Sequence, residues 1–247
     1  MPWEPAVAAG DNNREEAAMR EEIPPGAPQP EDDHAAARAL YGWRAGSYEL
    51  QLAPYEFIRR MAVDHLQLRP GQVVLDLGCG TGMSLPLLRD AVGPSGRVVA
   101  VDQSPEMLAL ARLRTQRAGW SNVVLQCSAA EIALLPQVAD AVLLHFTHDI
   151  LQSPQAIEHL LRHLRPGARV VATGLKWTAP GLAPWNVLVG MHMAQSVTHY
   201  EGLSSPWLPL EQYGVQLQVD MLVMGTVFVA HGIWPGRWRT HPMDERR

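Results

Sequence analysis

The chain has 247 residues and a mass of 27.2 kDa, with 47% hydrophobic residues, 18% charged residues and a mean hydropathy of −0.08, enough for one large globular domain or two small ones. No apolar run reaches the ~18 residues of a transmembrane helix, and the two cysteines, Cys79 and Cys127, are too few for a disulfide framework or a cysteine-rich zinc site. The net charge of −5 is uneven: residues 1–33 hold nine acids against Arg14 and Arg20, leaving the remainder at +2, without the strong basic excess of a nucleic-acid binder.

Residues 1–33 contain six of the 20 prolines and few large apolar side chains, so they are expected to form a disordered acidic leader. The N-terminus has neither the basic region nor the apolar block of a secretory signal, and a reduced cytoplasmic location is expected. A helix is predicted from Pro54, with Phe57, Ile58, Met61, Ala62 and Leu66 as its apolar stripe. Arg69-Pro70-Gly71 ends it, and Val73–Leu77 follows as a buried strand. A second helix is predicted over Ser84–Val92 and a second strand over Arg97–Asp102. Ser104-Pro105-Glu106 combines a hydroxyl cap, a proline at the first position and an acid at the positive end of the dipole, so a helix runs from there to about Ala118.

Strands are then predicted at Val123–Gln126 and Ala139–Leu144, a helix at Pro154–Leu164, a turn at Arg165-Pro166-Gly167, and a fifth strand at Arg169–Thr173. Two late strands, near Val215–Met221 and Gly225–His231, complete the pattern. Short apolar strands alternating with helices indicate an α/β fold, a Rossmann-like, mostly parallel seven-stranded sheet with helices on both faces. The domain is placed at residues 34–236, with 237–247 as a tail. Residues 175–209 read as an insertion between strands five and six, rich in Trp, Met and Pro, that can cap a pocket and favour an apolar or aromatic ligand.

In such sheets ligands bind beyond the carboxyl ends of the strands. The first strand runs into Val74-Leu75-Asp76-Leu77-Gly78-Cys79-Gly80-Thr81-Gly82, where glycines let the backbone turn tightly against a ligand. Met83 occupies the position that a dinucleotide fingerprint gives to a small residue, and no Gly-Lys-Ser/Thr follows for a phosphate loop. Asp102, twenty residues beyond Gly82, ends the second strand, where a carboxylate can accept both ribose hydroxyl hydrogens. Asp76 adds a second carboxylate, which suits a cationic ligand better than a pyrophosphate.

These residues resemble the class I S-adenosylmethionine-dependent methyltransferases. Residues 74–82 reproduce their glycine loop, Asp102-Gln103-Ser104-Pro105-Glu106-Met107-Leu108 their second motif, and Leu164-Arg165-Pro166-Gly167-Ala168 their late turn, with Ala168 in place of a glycine. The resemblance covers residues 40–174 and is greatest to small-molecule enzymes such as the quinone-biosynthesis C-methyltransferases. It implies S-adenosyl-L-methionine as cofactor, framed by Asp76, Gly78, Gly80 and Gly82, with Asp102 on the ribose and Gln103 and Met107 beside the adenine. Ser128-Ala129 replaces the relatives' Asp-Ala pair at the adenine amino group, and Tyr48 corresponds to a tyrosine folded over the cofactor.

The fourth strand leads into His145-Phe146-Thr147-His148, where relatives line the reacting methyl. His145 and His148 are the candidate catalytic residues, to orient or deprotonate an acceptor. The expected reaction is in-line methyl transfer to a small, apolar or aromatic, quinone- or phenol-like metabolite. Methylation of a lipid-headgroup amine, a nicotinamide oxidoreductase and a non-catalytic cofactor-binding protein remain as alternatives. No metal site is expected: His159 and His163 have the i, i+4 spacing of a zinc pair, but no acidic motif accompanies them. No nucleic-acid partner and no stable membrane insertion are expected, and the oligomeric state is left open.

Overall fold

A computed structural model describes residues 56–177 and 202–238. The acidic leader, Tyr48, residues 178–201 of the expected cap and the end of the tail lie outside the described residues. The chain forms α1 (Glu56–Leu66), β1 (Val73–Leu77), α2 (Leu85–Val92), β2 (Arg97–Asp102), α3 (Pro105–Ala118), β3 (Val123–Cys127) and β4 (Ala139–His145). It continues through α4 (His148–Leu151), α5 (Pro154–Arg162), β5 (Leu164–Leu175), α6 (Leu208–Gln212), β6 (Gln216–Leu222) and β7 (Val227–Trp234). No described helix is long and apolar enough to cross a membrane.

Local chemistry sets the helix limits. The Ser104 hydroxyl accepts from the Met107 amide at 3.2 Å, Pro105 fills the first turn, and Gly119 closes α3 in the left-handed region. Ser153 caps α5 in the same way, accepting from the Ala156 amide. The expected helix Pro154–Leu164 stops at Arg162, and β5 begins at Leu164 rather than Arg169. Leu164 pairs with Ala139, then the register jumps to Arg169 opposite Ala141, so the expected turn at 165–167 is an excursion within a longer strand. The last two strands lie one to three residues later than expected, because Val223 and Met224 turn the chain with positive φ values of 48° and 55°.

The sheet order is β3-β2-β1-β4-β5-β7-β6, parallel from β3 to β5 with β7 antiparallel between β5 and β6. One face packs Val74, Val98, Ala100, Leu143, Val171 and Val229 against α1, α2 and α3. The other packs Leu75, Leu77, Val101, Leu144, Val170 and Phe228 against α5 and α6. Burial on both faces accounts for the continuous apolar strands in the sequence. Because β4 lies beside β1 while β2 continues to the other side, strand order reverses at β1/β4. The carboxyl ends there open the crevice where such sheets bind ligands.

Two described parts of the expected cap have packing partners in the fold. Leu203 is buried against Leu175 and Trp177, and the Trp207 ring lies 5.2 Å from that of Phe228. Phe57, assigned to the buried stripe of α1, is 49% exposed, whereas Arg59 is only 3% exposed. The helix is therefore rotated by about one residue from the expected stripe, and a charged side chain takes an interior position.

Candidate active site

The glycine loop follows β1 and is held by the end of β2. The Gly78 and Cys79 amides both donate to the Val101 carbonyl, at 2.8 and 3.0 Å. One Asp102 oxygen accepts from the Gly80 amide at 2.7 Å and the other from the Ser104 amide at 2.9 Å. Asp102 thus fastens the loop to the start of α3 while standing at the strand end. Gly78 has φ +74°, and a Cβ there would lie 2.2 Å from Thr147 Cγ2, so no other residue fits beside the β4 loop. Gly80 is different: with φ +54°, its missing Cβ would point into space with no heavy atom of the described residues within 4 Å.

Strand alternation places Asp76, Asp102, His145 and Thr173 on the face that α1 covers. Arg59 of α1 reaches into the same region and pairs with Glu56. Asp76 is 1% exposed, and its Oδ2 has no hydrogen-bond partner among the described residues. Burial pushes its pKa up to about 7, against the pull of Arg59 and with a smaller push from Asp102. An ionised Asp76 therefore lacks a hydrogen-bond donor at this point.

His145 ends β4 with Nδ1 2.7 Å from Thr173 Oγ1. Burial, and secondarily the Arg59 charge, pushes its pKa down to about 3. The ring is neutral at any physiological pH, which suits it to orienting a ligand and makes it a poor proton acceptor near pH 7. Phe146 follows with φ 58°, an uncommon conformation for a bulky side chain, and its amide donates to the Thr173 carbonyl at 2.9 Å. That reversal separates the two candidate histidines: His145 closes a strand, and His148 opens α4, buried at 8% exposure.

The remaining sequence candidates surround the β2 and β3 ends. Gln103 is exposed, Met107 is half-buried in the first turn of α3, and the Ser128 amide donates to the Asp102 carbonyl at 3.0 Å. The Ser128 hydroxyl donates to the Ala129 carbonyl, also at 3.0 Å. Gly82 packs the loop on α2 and α3: a Cβ there would lie 2.6 Å from Leu85 Cδ1. His159 and His163 are occupied by backbone, with ring nitrogens 2.8 Å from the Ala133 and His159 carbonyls.

Arg59, Thr147 and Thr173 are site residues that the sequence motifs do not mark. Arg59 carried a usable signal, since it stands three residues before Ala62 and seven before Leu66, both buried. Thr173 and Thr147 carried none, because their contacts come from strands adjacent only in the sheet.

Residues 74–167 match the family model described as a methyltransferase domain. The chain is 38% identical over 138 residues to an uncharacterised 37.1 kDa protein in transposon TN4556 of Streptomyces fradiae, covering 53% of this chain and 39% of that protein. It is 34% identical over 125 residues to 2-phytyl-1,4-naphtoquinone methyltransferase of Thermosynechococcus vestitus, covering 49% of this chain and 54% of that one. The chain thus spans about half or less of these relatives' length. Among solved structures, it is similar to a SAM dependent methyltransferase from Aquifex aeolicus, with a TM-score of 0.54 and 26% identity over 71% of this chain and 88% of the other.

Proposed function

We propose that this chain, which carries a class I S-adenosylmethionine-dependent methyltransferase domain, transfers the methyl group to a small apolar or aromatic, quinone- or phenol-like acceptor. The single observation that carries the donor half is the loop open at Gly80 with Asp76 and Asp102 beside it. The donor set fits S-adenosyl-L-methionine: a buried carboxylate oxygen without a donor for the ammonium, a strand-end carboxylate for the ribose, and a loop with no side chain in the way. When bound, the cofactor supplies an electrophilic methyl on a sulfonium that is already a good leaving group.

The chain's own residues then align and shield. Asp76 would accept from the ammonium, which favours its ionised form, and Asp102 would accept from the ribose hydroxyls while keeping the loop in place. Gln103 and Met107 would cover the adenine and Ser128 and Ala129 would hold its edge, while Gly78 and Gly82 let the loop lie close to α2, α3 and the β4 turn. His145 orients the acceptor as a neutral dipole fixed by Thr173. Proton removal, where the acceptor needs it, falls to His148. In-line alignment and exclusion of water account for the rate.

The acceptor class rests on the similarity to the naphthoquinone enzyme and on the aromatic and methionine content of residues 175–209. Incubation with methyl-labelled cofactor and paired acceptors tests it, one series of hydroquinones and phenols and one of ethanolamine headgroups. Label in the first series supports the reading. Label confined to the amines replaces it, and cofactor binding without transfer to either refutes the proposed acceptor class.

A further inference from the structure

We propose that His65, Asp220 and His231 form a zinc-binding site on the outer part of the sheet. The three come from the last turn of α1 and from the adjacent strands β6 and β7. One donor atom from each lies within 4.8 Å of the other two. His231 Nε2 is 3.2 Å and His65 Nε2 3.7 Å from the same Asp220 oxygen. A tetrahedral zinc ion with bonds of ~2.0–2.1 Å holds its donor atoms ~3.3 Å apart, so both separations are close to those a bound ion imposes.

The backbone explains how the set arises. Val229 pairs with Asp220 and His231 with Gln218, which makes Asp220 and His231 diagonal neighbours on one face of the β6/β7 pair. Val229 on that face packs in the same cluster as Ile58 and Ala62 of α1. Helical spacing from those residues brings His65 over the strands, where its ring stacks on His231 with centroids 3.7 Å apart and planes 14° apart. His65 and His231 are partly buried, at 28% and 17% side-chain exposure, and Asp220 is 53% exposed. Solvent therefore reaches the carboxylate side, giving the ion an entry path and water as a further ligand.

The chemistry selects zinc over the hard cations. Two imidazoles and one carboxylate are a borderline-soft donor set, whereas calcium and magnesium take oxygen ligands. Convergence of the two rings on one ion requires the more exposed His65 ring to swing out of its stack on His231.

The site is distinct from the glycine loop. It lies on β7 and β6, three strands from β1 at the near side, or ~14 Å at the usual strand spacing. It is nevertheless joined to that loop by α1, on which Arg59 precedes His65 by six residues, or ~9 Å of helix. A bound ion would pin the end of the helix that places Arg59 beside Asp76.

The test is equilibrium dialysis of the tag-free 247-residue chain against zinc, without methyl donor. One zinc per chain with micromolar or tighter affinity is expected. His231→Ala and His65→Gln should each weaken it at least tenfold, while His163→Ala and Cys127→Ser leave it unchanged. His65→Gln, at a partly exposed helix end, serves as the decisive variant should His231→Ala fail to fold. Absence of stoichiometric zinc, or binding that survives both histidine substitutions, overturns the proposal. None of these outcomes depends on methyl transfer.

Discussion

Asp76→Asn is expected to stabilise the cofactor-free chain and to weaken its cofactor, opposite effects from one oxygen. Burial holds the Asp76 carboxyl at about 7 in the folded chain against an ordinary 3.8. Below the ordinary value both folded and unfolded chains carry the proton, and the residue imposes no charge-burial penalty. Between the two values only the folded chain keeps it, so stability falls as pH rises and levels off above about pH 7. The full gap corresponds to roughly 4 kcal/mol as an upper figure.

An amide removes that penalty but brings buried donors of its own, at a cost of about 1–3 kcal/mol. The net expectation at about pH 8 is a gain of about 1–2 kcal/mol, or a Tm higher by roughly 2–8 °C in a chain of this size. The gain should disappear, and even reverse, near pH 4. Thermal denaturation of both proteins at about pH 4, 6 and 8 measures this directly. Calorimetric titration with S-adenosylhomocysteine supplies the second half: loss of a charge-assisted hydrogen bond of about 1.5–3 kcal/mol weakens binding roughly 10- to 150-fold. A variant less stable than the parent by the same amount at every pH refutes the electrostatic argument. Unchanged affinity refutes Asp76 as the partner of the ammonium.

Four further outcomes are expected. Gly80→Val should cost only about 1–2 kcal/mol of stability for its positive φ yet weaken S-adenosylhomocysteine at least tenfold; Gly78→Ala, whose Cβ meets Thr147 at 2.2 Å, should instead lower the Tm. Asp102→Ala removes the acceptor for the Gly80 and Ser104 amides as well as the ribose contact, and should weaken cofactor binding by about 2–4 kcal/mol in calorimetry; unchanged affinity in a folded variant sinks the assignment. Arg59→Met should raise the His145 pKa from about 3 toward its ordinary value, seen as an imidazole NMR titration moving to higher pH; an unmoved titration shows that burial alone sets it. With a hydroxyl acceptor, His148→Ala should lower kcat and flatten its pH profile, whereas His145→Ala should chiefly raise the acceptor KM; the reverse pattern exchanges their roles.

The alternation of strands and helices was legible because each element carried its own signal: apolar runs for buried parallel strands, and the Ser104-Pro105 and Ser153-Pro154 starts for α3 and α5. The expected limits failed where pairing overrides propensity. Leu164 joins β5 only because Ala139 is opposite it across an irregular register. The α1 stripe differs from its expected face because Arg59, by composition a surface residue, is held inside by Glu56 and by the charge of Asp76.

By itself the sequence determined a glycine loop followed twenty residues later by an acid at a strand end, and the class of cofactor followed from the family that these residues resemble. That constraint is local: a tight turn needs glycines, and a strand of known length carries Asp102 to its end. Tertiary structure alone decided which groups share a charge environment. Asp76 retains its proton to about pH 7 only because burial denies it water, and His145 loses its basicity through the same burial beside an arginine from another element. Residues 65, 220 and 231 meet because the sheet places β7 and β6 beyond β5, with α1 crossing the face of β7. Electrostatic energies depend on distance and solvent access through space, and spacing along the chain carries neither.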